Sequence, residues 1–238
     1  AIGTALLPKL SREIQRGELE KAKKSQDHAL EFGMVLALPA AVGLLVLSQP
    51  IISTLFERGA FSPTAVDATA QTLFYYAVGL PAFIIIKVLQ PSFFARYDTL
   101  TPVKVASFMV LTNLVLNIIL MQYLAHAGLA LATSITAWLN AAILTFILKQ
   151  KGLHKHSKKT YVKLARTFMA SVFMGIGLFG LIEFSADSIF SLKSPNILSL
   201  ATLILFGLFL YVIPIFLFRV IRLSEVHQEI KSWIKNDQ

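Results

Sequence analysis

The residues best able to do chemistry in this sequence are polar groups set inside long apolar stretches. Lys87 interrupts the apolar run 73–95, and an ionisable group inside a membrane span costs at least about 2.5 kcal/mol at the bilayer centre. Such a lysine either faces a cavity, where it contacts an anion, or extends its amine toward the headgroups, about 12 Å further along the helix. The sequence leaves both placements open.

A second polar feature lies on two consecutive apolar runs. Asn113 and Asn117 are four residues apart, and Thr133, Thr136 and Asn140 follow at helical spacing, so each set shares one helix face. If the two stripes meet, their oxygens could bind a small hard cation such as Na⁺. Hydrogen bonding between the two helices is the simpler interpretation, and spacing alone favours it.

No pattern typical of an enzyme is present. The sequence has no Gly-rich phosphate loop, no HExxH, no serine elbow and no cysteine, and no span carries two carboxylates. His154 and His156 lie in a lysine-rich run, where solvated side chains are a better interpretation than a metal site. We therefore predict that the chain is not an enzyme and holds no organic cofactor.

The polar groups must be positioned by membrane helices. Hydrophobic residues make up 55% of the chain and charged residues 15%, and the mean hydropathy is +0.67, whereas a soluble domain is about 25% charged. Because a helix needs about 20 apolar residues to cross a bilayer, we predict six spans, at 32–55, 73–95, 105–125, 127–148, 164–182 and 194–218. The apolar residues 1–8 are interpreted as the end of an earlier helix.

Lys and Arg alternate strongly between the connections. Six lie in 9–27, two in the connection that holds Arg96 and Lys104, seven in 149–166 and four from 219 onward, against one, none and one in the connections between. The positive-inside rule then places the rich connections and the C-terminus in the cytoplasm. We expect these basic residues to contact anionic lipid headgroups, and no aromatic-interleaved basic motif points to nucleic acid.

These patterns divide the chain into five parts. They are the end of a helix with a basic cytoplasmic loop (1–27), four transmembrane spans (28–150), a second basic loop (151–163), the last two spans (164–220) and a cytoplasmic tail (221–238). The fold prediction is all-α, a polytopic membrane helix bundle.

Several stretches resemble the second half of the MurJ/MviN lipid II flippases. They are residues 37–63, with FERGAFSP, 76–104, with ARYDTLTP, and 126–144, while LPKLSRE at 7–13 resembles the cytoplasmic end of the eighth helix of that family. The resemblance weakens after about residue 151. It implies the C-terminal lobe of a 14-helix transporter of the MOP exporter superfamily, comprising the end of helix eight and helices nine to fourteen.

The resemblance also implies a function and its sites. The family moves lipid-linked peptidoglycan precursor across the inner membrane by alternating access, so Lys87, Gln90 and Arg96 become candidates for the substrate cavity. A cation site described in the family corresponds to four positions, with Na⁺ as the candidate ion: Asn113, Asn117, the Leu129 carbonyl and Thr133. Asn117 stands where an acidic residue can occur, and the seventh helix that contributes to that site is not in this chain; both departures weaken the expectation.

Two other functions remain as alternatives. One is a related exporter of another lipid-linked oligosaccharide or of a drug, against which FERGAFSP and ARYDTLTP argue. The other is a non-transporting scaffold that recruits cell-wall synthesis proteins through its basic loops. Growth supported by transport-dead variants at Lys87 would favour the scaffold.

Overall fold

The structure is a computed structural model, and it describes residues 2–151, 157–184 and 196–217. Within these ranges the chain forms seven helices and no strand: α1 (Ile2–Gln15), α2 (Leu19–Phe56), α3 (Pro63–Phe94), α4 (Leu100–Leu124), α5 (His126–Gln150), α6 (Lys158–Phe184) and α7 (Ile197–Leu217). Helices α2 to α7 are long enough and apolar enough to cross a membrane. The all-α polytopic fold predicted from the sequence is confirmed.

The helices extend beyond the apolar runs that predict them. Helix α2 has 38 residues, about 57 Å at 1.5 Å per residue, whereas the hydrocarbon core is about 30 Å thick. Its first turns, LEKAKK, are good helix formers, so the basic connection at 9–27 is helical except for a turn at 16–18. His154, His156 and the tail 221–238 lie outside the described residues.

Local sequence features determine where α3 begins and how the chain turns after its end. At its start, Ser62 accepts a hydrogen bond from the backbone N–H of Ala65 at 3.3 Å and Pro63 takes the first helical position. These are favoured residues for starting a helix. After its end, Tyr97 adopts a positive φ of 60° and turns the chain into α4.

The described helices pack through four apolar clusters. One joins α1, α2 and α3, another joins α3, α4 and α5, and a third joins α2, α6 and α7. The fourth and smallest joins the end of α2 to the start of α3 through Ile52, Val66 and Ala70. Helices α2 and α3 therefore form the centre of the lobe, and α4 and α7 lie at its edges. Helix α4 is the least buried of these helices. Only 11% of its most apolar stretch is buried inside the bundle, against 39% for α3 and for α5.

An ionic contact fixes the start of α6 against α2. Glu31 accepts hydrogen bonds from the Thr160 hydroxyl at 2.8 Å and the Lys163 ammonium at 2.9 Å. Asp27 accepts the backbone N–H of Ser157 at 3.1 Å. Carboxylates at a helix N-terminus complement its dipole, so α2 positions the first turn of α6 as well as its apolar face.

Candidate functional site

One exposed face of α3 carries Lys87. Phe83, Lys87, Gln90 and Phe94 follow at steps of four, three and four, so they lie along one side of the helix. Phe83 is 40% exposed and Phe94 36% exposed, Lys87 is exposed and Gln90 is half-buried. Lys87 makes no hydrogen bond or ion pair with any residue of the described ranges, so its ammonium group is available to a ligand.

Helix α1 crosses α3 at the backbone of Lys87. A Cβ added to Gly3 would lie 2.9 Å from the Lys87 carbonyl oxygen, closer than side-chain carbons normally approach. Pro91 follows four residues later and has no N–H, so this carbonyl has no partner within its own helix. Gly3 therefore lets the backbone of α1 approach α3 closely at the level of Lys87.

Arg96 lies just past the end of α3 and folds back onto it. Its Nη1 donates a 2.6 Å hydrogen bond to the Ser92 carbonyl, one of the carbonyls that a helix end leaves without an intrahelical partner. Partial burial lowers the pKa of the Arg96 guanidinium below its ordinary value. One edge of this side chain thus caps the helix. Arg96 is nine residues from Lys87, about 180° at helical spacing, so the structure does not bring it onto the Lys87 face.

Asp98, next along the chain, joins three elements. Its carboxylate accepts a 2.5 Å bond from Lys151 at the end of α5 and two bonds from Thr101 in the first turn of α4. The hydrogen bond from Lys151 is the main reason that the pKa of Asp98 lies below its ordinary value. The Lys151 ammonium also lies 5.9 Å from the Phe93 ring centroid, so these contacts hold the ends of α3, α4 and α5 together.

The two polar stripes predicted from the sequence do meet, along the seam between α4 and α5. The Asn117 amide donates to Asn113 Oδ1 at 2.9 Å, and the Asn113 amide donates to the Thr136 hydroxyl at 3.2 Å. Thr136 in turn bonds the carbonyls of Ala132 and Thr133. The interhelical hydrogen bonding that spacing favoured is therefore present.

This seam also holds free acceptors. Asn117 Oδ1 and Asn140 Oδ1 are buried and have no hydrogen-bond partner among the described residues. The Thr133 hydroxyl donates to the Leu129 carbonyl at 2.8 Å, which leaves lone pairs on both oxygens. The helices are antiparallel with Asn113 level with Thr136, so Asn117 lies near the level of Thr133, one turn further along the seam.

The groups present suit a weakly held hard cation. Carbonyl and hydroxyl oxygens are ligands that such ions accept, and the unpartnered oxygen of Asn117 is a group that a cation would satisfy. Neither α4 nor α5 contains Asp or Glu, so every ligand from this seam is neutral. An acidic or further oxygen ligand would have to come from another part of the protein.

A buried polar junction lies where α1, α2 and α3 meet. Ser25 donates to Glu13 Oε1 at 2.9 Å, while Glu13 Oε2 has no partner among the described residues. Gln26 Nε2 and the Ser92 hydroxyl are likewise buried without a partner there. Groups of this kind are usually satisfied by an ordered water, and the sequence carries no periodic signal that could reveal them.

An apolar groove of about 420 Å³ separates the outer surfaces of α3 and α5. Val78, Ile135 and Trp138 are among its lining residues, and the Trp138 ring N–H donates to the Val78 carbonyl at 3.0 Å. Val78 lies nine residues before Lys87, about 180° around the helix. The groove is therefore on the side of α3 opposite to the Lys87 face and contributes nothing to it.

Comparison with known sequences gives consistent matches. The sequence profile of the family described as "Lipid II flippase MurJ" matches residues 1–200. A "Probable lipid II flippase MurJ" of Rhizobium meliloti is 38% identical over 87% of this chain and 38% of its own length. That of Rickettsia prowazekii is 41% identical over 65% of this chain and 31% of its own length. The chain thus spans about a third of the length of these relatives.

A solved structure supports the same assignment. "Lipid II flippase MurJ, inward closed conformation" superposes with a TM-score of 0.73 and 27% sequence identity, over 90% of this chain and 41% of that one. This likeness confirms the predicted transporter lobe, and a family named for flipping a lipid confirms that the chain is not an enzyme. With most of its length matched by the family profile, this chain belongs to the MurJ family of lipid II flippases.

Proposed function

We propose that this chain is one lobe of a transporter that moves lipid II, a lipid-linked peptidoglycan precursor, from the cytoplasmic to the periplasmic leaflet by alternating access. The names of its relatives support lipid II as the substrate. The distribution of Lys and Arg supports a multi-pass protein of the bacterial inner membrane with a cytoplasmic C-terminus. Anionic membrane lipids contact its basic ends.

The observation that carries this proposal is the ammonium group of Lys87, which lies on an exposed face of an apolar helix and has no partner among residues 2–151, 157–184 and 196–217. A pyrophosphate headgroup needs counter-charge and hydrogen-bond donors to leave water. Lys87 offers three donors and one positive charge, and Gln90 offers amide groups on the same face. Arg96 adds positive charge just past the end of α3, where it attracts the headgroup before binding.

The role of Lys87 is tested in cells depleted of their own flippase and supplied with the protein in its full natural length. Lys87→Gln is expected to reduce the lipid II that reaches the outer leaflet at least tenfold, and Lys87→Arg to retain part of it. Lys104→Gln removes one charge from an exposed lysine at the start of α4 and serves as the matched control. Equal transport by Lys87→Gln and the control would contradict the proposal.

The division into lobes is tested in the same cells. The full-length protein is expected to restore growth, whereas residues 1–238 alone are expected to leave it unrestored, because a two-lobed cavity needs both halves. Failure of a well-expressed full-length protein would exclude lipid II as the substrate. Rescue by residues 1–238 alone would show that this lobe is sufficient.

We further propose that the α4–α5 seam supplies ligands to a Na⁺ ion, with Asn117 Oδ1, Asn113, Thr133 and the Leu129 carbonyl as candidates. Na⁺ is expected to raise the thermal midpoint of the full-length protein relative to equal K⁺, because a bound ion stabilises the folded state. Asn117→Leu should remove this difference. Thr112→Val, which alters a hydroxyl bonded within α4 to Phe108, should keep it. A Na⁺ effect that survives in Asn117→Leu would place the ion elsewhere.

A further inference from the structure

A proline inside α2 leaves one backbone acceptor without its helical partner. Pro39 has no N–H, so the carbonyl of Val35, four residues earlier, cannot be bonded within the helix. In a membrane protein such a group must be satisfied by a neighbour, because hydrocarbon offers no donor. The hydroxyl of Tyr211 on α7 supplies the bond, at 2.5 Å from the Val35 oxygen and 176 residues away in the sequence.

The surroundings make this contact well defined. Tyr211 is 8% exposed and packs in the cluster that joins α7 to α2 and α6. On α6, a Cβ added to Gly175 would lie 2.6 Å from a methyl group of Val42, which follows Pro39 by three residues. Helices α6 and α7 therefore hold α2 on both sides of Pro39, one through a hydrogen bond and one through close packing.

The same part of α2 also faces the site. Met34 and Ala37 belong to the apolar cluster shared with α1 and α3, whereas Val35 and Val42 pack in the cluster shared with α6 and α7. A change of bend at Pro39 therefore moves the first half of α2 relative to its second half. Helix α1 and the part of α3 around Val88 pack on that first half, whereas the start of α3 packs on Ile52 in the second half. Proline is a common cause of such bends.

We infer that Tyr211 is a positioning residue for transport: its hydroxyl replaces the hydrogen bond removed by Pro39, so α2 bends there while docked on α7. Helices α6 and α7 then influence the bend of α2, and through α2 the position of the helices around Lys87. Because this role presupposes the transport function proposed above, its test includes readouts that need no substrate.

The test is a double-mutant cycle in the full-length protein, with Tyr211→Phe, Pro39→Ala and the two combined. Tyr211→Phe alone is expected to lower the thermal midpoint and to reduce the ratio of folded to unfolded protein about threefold, a typical effect for a hydrogen bond between membrane helices. In the Pro39→Ala background residue 39 has its own N–H for Val35, so Tyr211→Phe should have little effect. Tyr123→Phe, at a tyrosine 80% exposed, is the control for loss of a hydroxyl.

Two further readouts separate positioning from simple stabilisation. Pro39→Ala is expected to raise the thermal midpoint and yet to lower lipid II transport per folded molecule several-fold, because a straighter α2 is less able to change its bend. Spin labels at Phe32→Cys and Leu208→Cys, both exposed positions, report the distance between α2 and α7. Residues 1–238 contain no cysteine, and any cysteine elsewhere in the full-length protein is replaced by serine. Their distance distribution should narrow in Pro39→Ala and broaden in Tyr211→Phe.

Each other outcome has a definite meaning. If Tyr211→Phe lowers the midpoint equally in both backgrounds, Tyr211 acts through packing and the inference is wrong. If Pro39→Ala transports normally and the label distances are unchanged, the bend is not a moving part and the inference is equally wrong. If the wild-type protein moves no lipid II while the midpoints and label distances respond as expected, the proposed substrate fails and the positioning of α2 by Tyr211 stands.

Discussion

Two of the prolines that lie inside described helices, Pro39 and Pro91, remove the N–H that would bond a carbonyl one turn earlier, and the neighbouring helices contact these two carbonyls differently. At Pro39 the Val35 oxygen receives a full hydrogen bond from the Tyr211 hydroxyl. At Pro91 the Lys87 oxygen is approached closely by Gly3, where an added Cβ would lie 2.9 Å away, and no hydrogen bond from Gly3 to this oxygen is formed. The first junction ties α2 to an outer helix, and the second lets α1 lie directly against the helix that carries Lys87.

The difference concerns how tightly each junction is held. An O–H···O bond in a low-polarity interior is directional and specific, whereas a close backbone approach offers at most a Cα–H···O contact, which is worth about half as much or less. The Lys87 junction therefore depends on the close approach of two backbones, with no hydrogen-bond donor to the Lys87 oxygen from another helix among the described residues. The crossing of α1 and α3 beside the candidate substrate face thus has no interhelical hydrogen bond to the free carbonyl, whereas the crossing of α2 and α7 has one. This difference suits a lobe whose helices move near the ligand.

The largest expected effect breaks the Lys87 junction. Gly3→Ala places a Cβ against a backbone oxygen at 2.9 Å, so α1 must shift away from α3, at a cost of about 1–3 kcal/mol. The free energy of unfolding of the full-length protein, followed by chemical denaturation in detergent, measures the change.

Gly180→Ala is the matched control for this substitution. It lies within α6 with no atom within 4 Å of an added Cβ, so it gains up to about 1 kcal/mol of helix propensity without a clash. We expect Gly180→Ala to stabilise and Gly3→Ala to destabilise. Equal effects at the two glycines would show that α1 does not approach Lys87 as closely as described.

A smaller difference in unfolding free energy is expected between alanine substitutions at the two prolines. Pro39→Ala and Pro91→Ala each restore a backbone N–H to the preceding turn, but only the Val35 carbonyl already has a strong partner. Pro91→Ala should therefore gain more unfolding free energy than Pro39→Ala, by roughly 0.6 kcal/mol, the typical value for one interhelical bond. Thermal midpoints of the two variants provide the measurement, and a larger gain for Pro39→Ala would reverse the assignment of strong and weak junctions.

The smallest effect concerns the ion pair beyond the Lys87 junction. The pKa of Asp98 is lowered, chiefly by its hydrogen bond from Lys151, so the pair stabilises the protein above the unfolded pKa of about 3.9. That contribution is lost as the pH falls through the folded pKa. Because the Lys151 side chain is 44% exposed, the expected stabilisation is below about 1 kcal/mol.

Lys151→Met tests this contribution. Its thermal midpoint should lie below that of the wild-type protein at pH 7, and the two midpoints should converge below about pH 4. High salt should also reduce the difference, since exposed pairs are screened. A difference that persists unchanged at pH 3 would mean that Lys151 acts through its contact with Phe93 instead.

The sequence predicted which residues of the α4–α5 seam share a helix face, but not the contacts that they make. The spacing of Asn113 and Asn117, and of Thr133 and Thr136, predicted one polar stripe on each of two helices, because a helix repeats every 3.6 residues. Spacing left open whether the stripes meet, and the structure joins them. The same spacing could not indicate which oxygens remain free, since that depends on how each amide is turned. Asp98 illustrates the opposite case: as one charge in a short connection, it gave no sign of its bond to Lys151.

The sequence by itself determined the six apolar helices, the alternation of basic connections and the positions at which proline removes a backbone donor. These properties are local: they depend on about 20 consecutive residues, on the charges between them, or on a fixed offset of four residues along a helix. Only the tertiary structure decided which neighbouring residue contacts the carbonyl that Pro39 or Pro91 leaves without its helical bond. Tyr211 and Gly3 reach α2 and α3 from distant parts of the chain, and their approach depends on how whole helix surfaces pack, a property that no local pattern carries.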